Sequence, residues 1–555
     1  MADKQRSKEE LKQGLSEGPA EGLRRGMSEG PAEGLRQGMS EGPAEKLEGG
    51  LFEKLKEYGK KGAYPFHMPG HKRNGALGGD IFPFSLDITE ITGFDNLHCP
   101  TGVILKAQER AARIYGTKES FFSVNGSTGC ILAAVSAAFS KGDRVLVARN
   151  CHKSVYHALC LRELEPVFVY PRVYFEKRGG GRNSDEEENC PGSEMRAGSG
   201  KVRRGGLFGG IAPDDVEEIL CGEEGIKGMI LTSPTYDGIV SDIRRIGELL
   251  HERDLSLLVD EVHGAHFVFS DYFPESAVSC GADLVIHSVH KTLPALTQTA
   301  LLHRCSERVE SRKIRRFLSI YQSSSPSYVL MASLDACMAL LEKEGEGLFT
   351  AFTERLEKTR ERLGRNERLV LLEPEKRAGN AVYDFDRSRI LIGTGKTPMS
   401  GHRLFALLRD DYGLELEMEA PDYVLALSSA GDTEEGFRKL IEAVADLDGR
   451  LKETEIRGTA CVPGLNEQVF PMHEALEMDS VPCPLEACEG RISGEFVFLY
   501  PPGIPLVVPG ERISGNLAEE LIRYRREGYP LQGLQDLTAQ NIQVLDRLVS
   551  TSSGY

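Results

Sequence analysis

Short apolar runs recur along the first half of the chain, each followed by a polar turn and then by apolar positions at helical spacing. The runs fall at Phe121–Val124, Arg144–Val147, Val167–Tyr170, Gly228–Leu231, Ser256–Asp260, Leu284–Ile286 and Thr299–His303. They are nearly continuous in hydrophobicity rather than alternating. That pattern predicts strands buried on both faces, and their alternation with helices predicts an α/β fold with a mostly parallel sheet covered by helices. Leu105–Tyr115, Cys130–Phe139 and the segment from Pro213, with Asp214 and Asp215 in its first turn, read as helices.

The texture changes near Arg312. A long helical pattern runs from Val329 to Leu341, and Arg389–Ile392, Leu404–Leu408 and Tyr423–Leu427 predict a smaller αβ domain. A last α+β segment begins near Gly458. The expected divisions are a tail over 1–50, a large domain over 51–311, a smaller αβ domain over 312–455 and a C-terminal domain over 456–555. Glu176–Gly210 breaks the strand–helix pattern with three consecutive glycines and an acidic run, so it reads as a solvated surface insertion. The tail carries a repeat, Gly14–Arg25, copied at Gly26–Gln37 and with changes at Gly38–Gly49. Copies so poor in apolar residues cannot bury a core, and a disordered tail is expected.

Composition narrows the function classes. The net charge is −17, from 84 acidic and 67 basic residues, which argues against a general nucleic-acid binder. No apolar run approaches a membrane span, and Met1–Leu11 lacks a signal-peptide core, so a cytoplasmic protein is expected. The 12 cysteines show no paired spacing, and no histidine–cysteine set has metal-ligand spacing.

Polar residues gather at the exits of the predicted strands, where ligands bind in open α/β sheets. Lys291 follows Leu284–Ile286, Asp260 ends another strand, and Gly126, Ser127 and Thr128 lie between a strand and a small-residue helix. A turn of that kind presents backbone N–H groups and hydroxyls to an anion, although Ser and Thr also serve as ordinary helix caps. His152, His263 and His290 sit at further exits. A lysine, a buried acid, an anion cradle and a flat side chain are the parts that pyridoxal 5'-phosphate requires: an amine for its aldehyde, a carboxylate for its pyridine nitrogen, donors for its phosphate and a ring to stack.

DEVHGAH at Asp260–His266 and SVHKTLPALTQTA at Ser288–Ala300 resemble the ornithine/lysine/arginine decarboxylases. HMPGHK at His67–Lys72, NGSTG at Asn125–Gly129, SPTYDG at Ser233–Gly238, SSSPSY at Ser323–Tyr328, YPPGIP at Tyr500–Pro505 and PGE at Pro509–Glu511 resemble the same family, in family order. The resemblance implies the aspartate-aminotransferase fold (fold type I) in a short form, with the repeat tail where longer members carry an N-terminal wing domain. It implies that Lys291 forms the imine with pyridoxal phosphate, that Asp260 pairs with the pyridine nitrogen and that His152 stacks on the ring. Ser127, Thr128 and Ser288 would bind phosphate, with His290 beside them. His263 would lie near the imine, and Ser324 or Ser325 would reach the phosphate of a partner subunit in a homodimer. The implied reaction is decarboxylation of arginine, lysine or ornithine, serving polyamine synthesis. An aminotransferase or lyase on the same fold and a non-catalytic regulatory relative are the alternatives. Asp87, Glu90, Glu495 and Glu511 are the acids considered for the substrate's distal cation.

Overall fold

The structure, a computed structural model, describes residues 50–61, 64–74, 81–175, 201–203, 206–374, 382–452, 459–461, 466–499 and 503–546. The repeat tail, most of the 176–210 insertion and Tyr500-Pro501-Pro502 lie outside these residues.

All of the apolar runs become strands of one sheet: β1 (Glu119–Ser123), β2 (Arg144–Ala148), β3 (Glu165–Val169), β4 (Ile226–Thr232), β5 (Ser256–Asp260), β6 (Leu284–His287) and β7 (Ala300–Arg304). Their order is β3-β2-β4-β5-β6-β7-β1. Pairing is parallel from β3 through β6, whereas β7 runs antiparallel to both β6 and β1. Val145, Val147, Leu257, Val259, Leu284 and Val285 are all fully buried. Burial on both faces is why these strands carry no alternating pattern.

Helix α1 (Gly126–Ala138) buries most of its length and has almost no polar side, because it lies between the sheet and helix α4 (Ser311–Tyr321). Helix α2 (Lys153–Leu161) follows β2, and the short helix α3 (Val289–Thr292) follows β6. The 36-residue helix α5 (Tyr328–Leu363) runs well past the expected Leu341. Its buried face, including Met331, Leu334, Phe349, Phe352 and Leu356, shares a core with Ile390, Ile392 and Val424 of a second sheet. That sheet is antiparallel: β8 (Val370–Leu372), β9 (Arg389–Gly393), β10 (Met418–Glu419) and β11 (Tyr423–Leu427), in the order β8-β9-β11-β10.

The C-terminal segment pairs Ser480–Pro484 with Asn541–Leu545 and packs helix Gly515–Glu527 over its own apolar cluster. The insertion is not wholly loop. Gly206–Phe208 pairs with Val173–Phe175, and Lys201–Arg203 pairs with Thr459–Cys461. Its glycine and charge content hid these short strands. Among the described residues, no helix is long and apolar enough to cross a membrane.

Candidate active site

Lys291 stands on α3, one short turn beyond β6. The chain leaves the strand at Ser288, makes a single helical turn, and stops at Leu293, which is extended because Pro294 follows it. Lys291 Nζ lies 3.1 Å from His263 Nε2. Burial lowers the lysine pKa to about 8; Asp260 opposes that shift, and Arg389 adds to it. An amine poised near neutrality can lose its proton and attack a carbonyl.

Asp260 ends β5 with only 2% of its surface exposed. Neither carboxylate oxygen makes a hydrogen bond of good geometry, and the nearby Val262 N–H and Thr232 hydroxyl offset its burial only in part. Burial raises its pKa to about 6, moderated first by the charge of Lys291. An orphaned buried carboxylate is costly unless something cationic covers it. Ser288 is also fully buried with an unpartnered hydroxyl. Two such groups flanking a depressed lysine fit a ligand that carries both a protonated ring nitrogen and an anion.

The N-terminus of α1 completes the cradle. Gly126 adopts φ +68°, a left-handed conformation that only glycine takes cheaply. Its N–H donates to the Gln298 carbonyl at 2.9 Å, tying this turn to the lysine segment. Asn125 caps the helix without a side-chain hydrogen bond, so it does not claim the first-turn N–H groups near Ser127 and Thr128. His290 donates from Nδ1 to the Thr299 carbonyl at 2.9 Å, which fixes its ring beside Lys291.

His152 caps α2. Its Nδ1 accepts from the Ser154 N–H at 3.2 Å and lies 2.8 Å from Ser154 Oγ. Burial, and then the charge of Lys291, lowers its pKa to about 4. The ring is therefore neutral and orientationally fixed, as a stacking partner must be. Burial, and then Lys291, holds His263 well below its ordinary pKa. The structure thus brings together Lys291, Asp260, His263 and, through their effects on one another, His152. Ser324 is exposed.

Two acids considered for the substrate are already committed. Glu511 is fully buried and pairs with Arg149 at 3.1 Å; Arg149 also donates to Tyr156 Oη and the Pro505 carbonyl. Glu495 accepts the backbone N–H groups of Gln535 and Gln543, both at 2.8 Å. Asp87 lies 3.2 Å from His71 Nε2. Glu90 is half-buried, with Oε1 unpartnered.

Sequence reasoning missed three features. Arg389, which reads simply as the start of a strand, is 1% exposed and donates to the His263 carbonyl at 3.4 Å. It fits only because Gly238 has no side chain: a Cβ there would stand 2.6 Å from Arg389 Cγ. The second is Tyr236, whose ring meets that of His263 edge-on at 4.9 Å and whose hydroxyl donates to Glu417. The third is a buried chain that starts at Glu261, just past β5, and crosses β6, β7 and β1. Glu261 meets His287 Nε2 at 2.7 Å, His287 Nδ1 meets His303 Nε2 at 3.1 Å, and His303 Nδ1 meets Ser120 Oγ at 2.7 Å. Sequence separation hid all three, since Arg389 lies 126 residues from His263.

The strand order and a lysine at the exit of β6 define an enzyme of the fold type I α/β class. Within that class, the chain belongs to the Orn/Lys/Arg decarboxylase family: the major domain of the family matches residues 49–178 and 206–386, and its C-terminal domain matches 468–527. The chain is 31% identical over 503 residues to the arginine decarboxylase of Bacillus anthracis, covering 89% of this chain and 96% of that protein. It is 30% identical over 500 residues to the arginine decarboxylase of Bacillus subtilis, covering 88% and 96%. The solved structure of the constitutive lysine decarboxylase of Escherichia coli superposes with a TM-score of 0.72 at 20% identity, over 89% of this chain and 82% of that one.

Proposed function

We propose that this protein decarboxylates L-arginine to agmatine and carbon dioxide with pyridoxal phosphate as cofactor. The observation that carries the reading is the buried, unpartnered carboxylate of Asp260 facing a lysine whose pKa is lowered to about 8. The choice of arginine among basic amino acids is supported by the relatives of 30–31% identity, which are named arginine decarboxylases.

When bound, pyridoxal phosphate supplies an aldehyde and an electron-accepting ring. Lys291 Nζ would hold it, with Asp260 at the ring nitrogen and His152 against the ring face. Ser127, Thr128 and Ser288, with the first turn of α1, would take the phosphate beside His290. Asp260, freed from its desolvation penalty by a cationic partner, keeps the ring nitrogen protonated. His263, held neutral, lies 3.1 Å from Lys291 Nζ and orients the amine without carrying its charge. Arg389 braces His263 through its carbonyl and adds positive charge beside the amine. The buried walls around Asp260 and Ser288 exclude water, so these charges act in a medium that does not screen them.

The same reading takes the protein as a cytoplasmic homodimer in polyamine metabolism, with Ser324 directed to the partner's phosphate. It keeps the division into large, smaller αβ and C-terminal domains. Exposed large apolar side chains at Tyr64, Phe66, Met68, Ile81 and Phe82 support a partner surface on this part of the chain. The test is carbon dioxide release from arginine, lysine and ornithine with added cofactor. Release from arginine is expected, and no release from any of the three would overturn the reading.

A further inference from the structure

We propose that Glu417 receives the distal cation of the substrate, with Tyr236 holding its carboxylate in place; the assignment rests on the decarboxylase reading above. Of the four acids considered from sequence, Glu495 and Glu511 are consumed by their own partners, and neither Asp87 nor Glu90 is among the charges felt at Lys291, whereas Glu417 is. Glu417 immediately precedes β10, and its N–H donates to the Leu425 carbonyl at 3.0 Å, which fixes the backbone beneath the side chain. Its carboxylate is exposed and accepts from the Tyr236 hydroxyl; among the described residues it makes no ion pair. Its neighbour Glu419, by contrast, is paired with His402 at 2.8 Å.

The placement follows a continuous line. Lys291 Nζ touches His263, the His263 ring meets Tyr236 at 4.9 Å, and the far end of Tyr236 holds Glu417. A substrate attached at the lysine end has its α-carbon there and its side-chain cation several bonds away, toward the carboxylate end. The negative charge of Glu417 is felt at Lys291, so the two groups share one electrostatic environment. A carboxylate has lone pairs to spare after accepting one tyrosine hydrogen, and two parallel N–H donors of a guanidinium suit them. Exposure in the free protein lets the substrate enter without breaking a buried ion pair.

The test compares equilibrium binding of agmatine and N-carbamoylputrescine, its uncharged ureido counterpart, to the cofactor-loaded enzyme. Neither is decarboxylated, so binding is read directly. A charge-assisted hydrogen bond predicts that the wild-type protein prefers agmatine by about 10- to 100-fold. Glu417→Gln should erase that preference while leaving the cofactor's absorption spectrum unchanged. Tyr236→Phe should reduce it in part, and Glu419→Gln should leave it intact. Carbon dioxide release by the wild type together with an undiminished preference in Glu417→Gln overturns this assignment alone. A wild-type protein that releases no carbon dioxide from any basic amino acid overturns the decarboxylase reading and this assignment with it.

Discussion

Asp260→Asn should stabilise the cofactor-free protein while disabling the loaded one. Burial raises the Asp260 pKa from 3.8 to about 6. Because the folded value exceeds the unfolded one, the native state binds more protons between those limits, and stability falls as pH rises through them. At 1.36 kcal/mol per pH unit, the span from 3.8 to about 6 gives a cost of at most about 3 kcal/mol above pH 6, and none below about pH 4. Asparagine matches the shape, carries no charge and leaves the same atoms unpartnered, so it avoids the pH-dependent part. Thermal melts of cofactor-free wild type and Asp260→Asn at pH 4 to 8 measure the difference. The curves should converge at the acid end and separate above about pH 6, with the variant higher. With cofactor bound, the carboxylate gains a cationic partner and the order should reverse. Parallel curves across the whole range, or a variant less stable at pH 7, would refute the account of Asp260 as an uncompensated buried charge.

Lys291→Ala should remove the visible band of the cofactor–lysine adduct and lower turnover by at least about 100-fold, the contribution of a single proton-transfer group. In the wild type, capture of cofactor by the free protein should accelerate as pH rises through about 8, where Lys291 loses its proton, rather than near the ordinary 10.5; stopped-flow absorbance reads this. Glu511→Ala leaves the guanidinium of Arg149 buried and unpaired, and should cost about 3–5 kcal/mol in unfolding experiments. Glu511→Gln should cost less because it keeps an acceptor. His287→Gln breaks the chain between Glu261 and His303; differential scanning calorimetry should show a loss of about 1–3 kcal/mol with the KM for substrate unchanged.

The large sheet was legible because β2 and β4 to β7 are largely buried on both faces, and continuous apolar runs survive translation into sequence pattern. Lys291, Asp260, His152 and Gly126 were legible for a related reason: ligands collect where such strands end, and each residue stands within a few positions of a strand exit. Arg389, Tyr236 and Glu417 were not. Arg389 and Glu417 reach the site from the antiparallel sheet, and only the path of α5 and the close approach at Gly238 bring them there. Glu511 stood among the candidate acids because nothing local signals its partner, Arg149, 362 residues earlier.

That separation has a consequence for the order in which the protein is made. Arg149 and the His152 turn leave the ribosome long before Glu511, and Gly503, whose carbonyl accepts the Lys153 N–H at 3.1 Å, arrives equally late. At about 5–20 residues per second, 362 residues take roughly 20–70 s. During that interval, the turn that presents His152 lacks its ion pair and its backbone brace. The cradle for the ring is therefore finished by a segment made 362 residues after Arg149, and a polypeptide truncated before it would carry every residue from Gly126 to Lys291 yet hold His152 loosely.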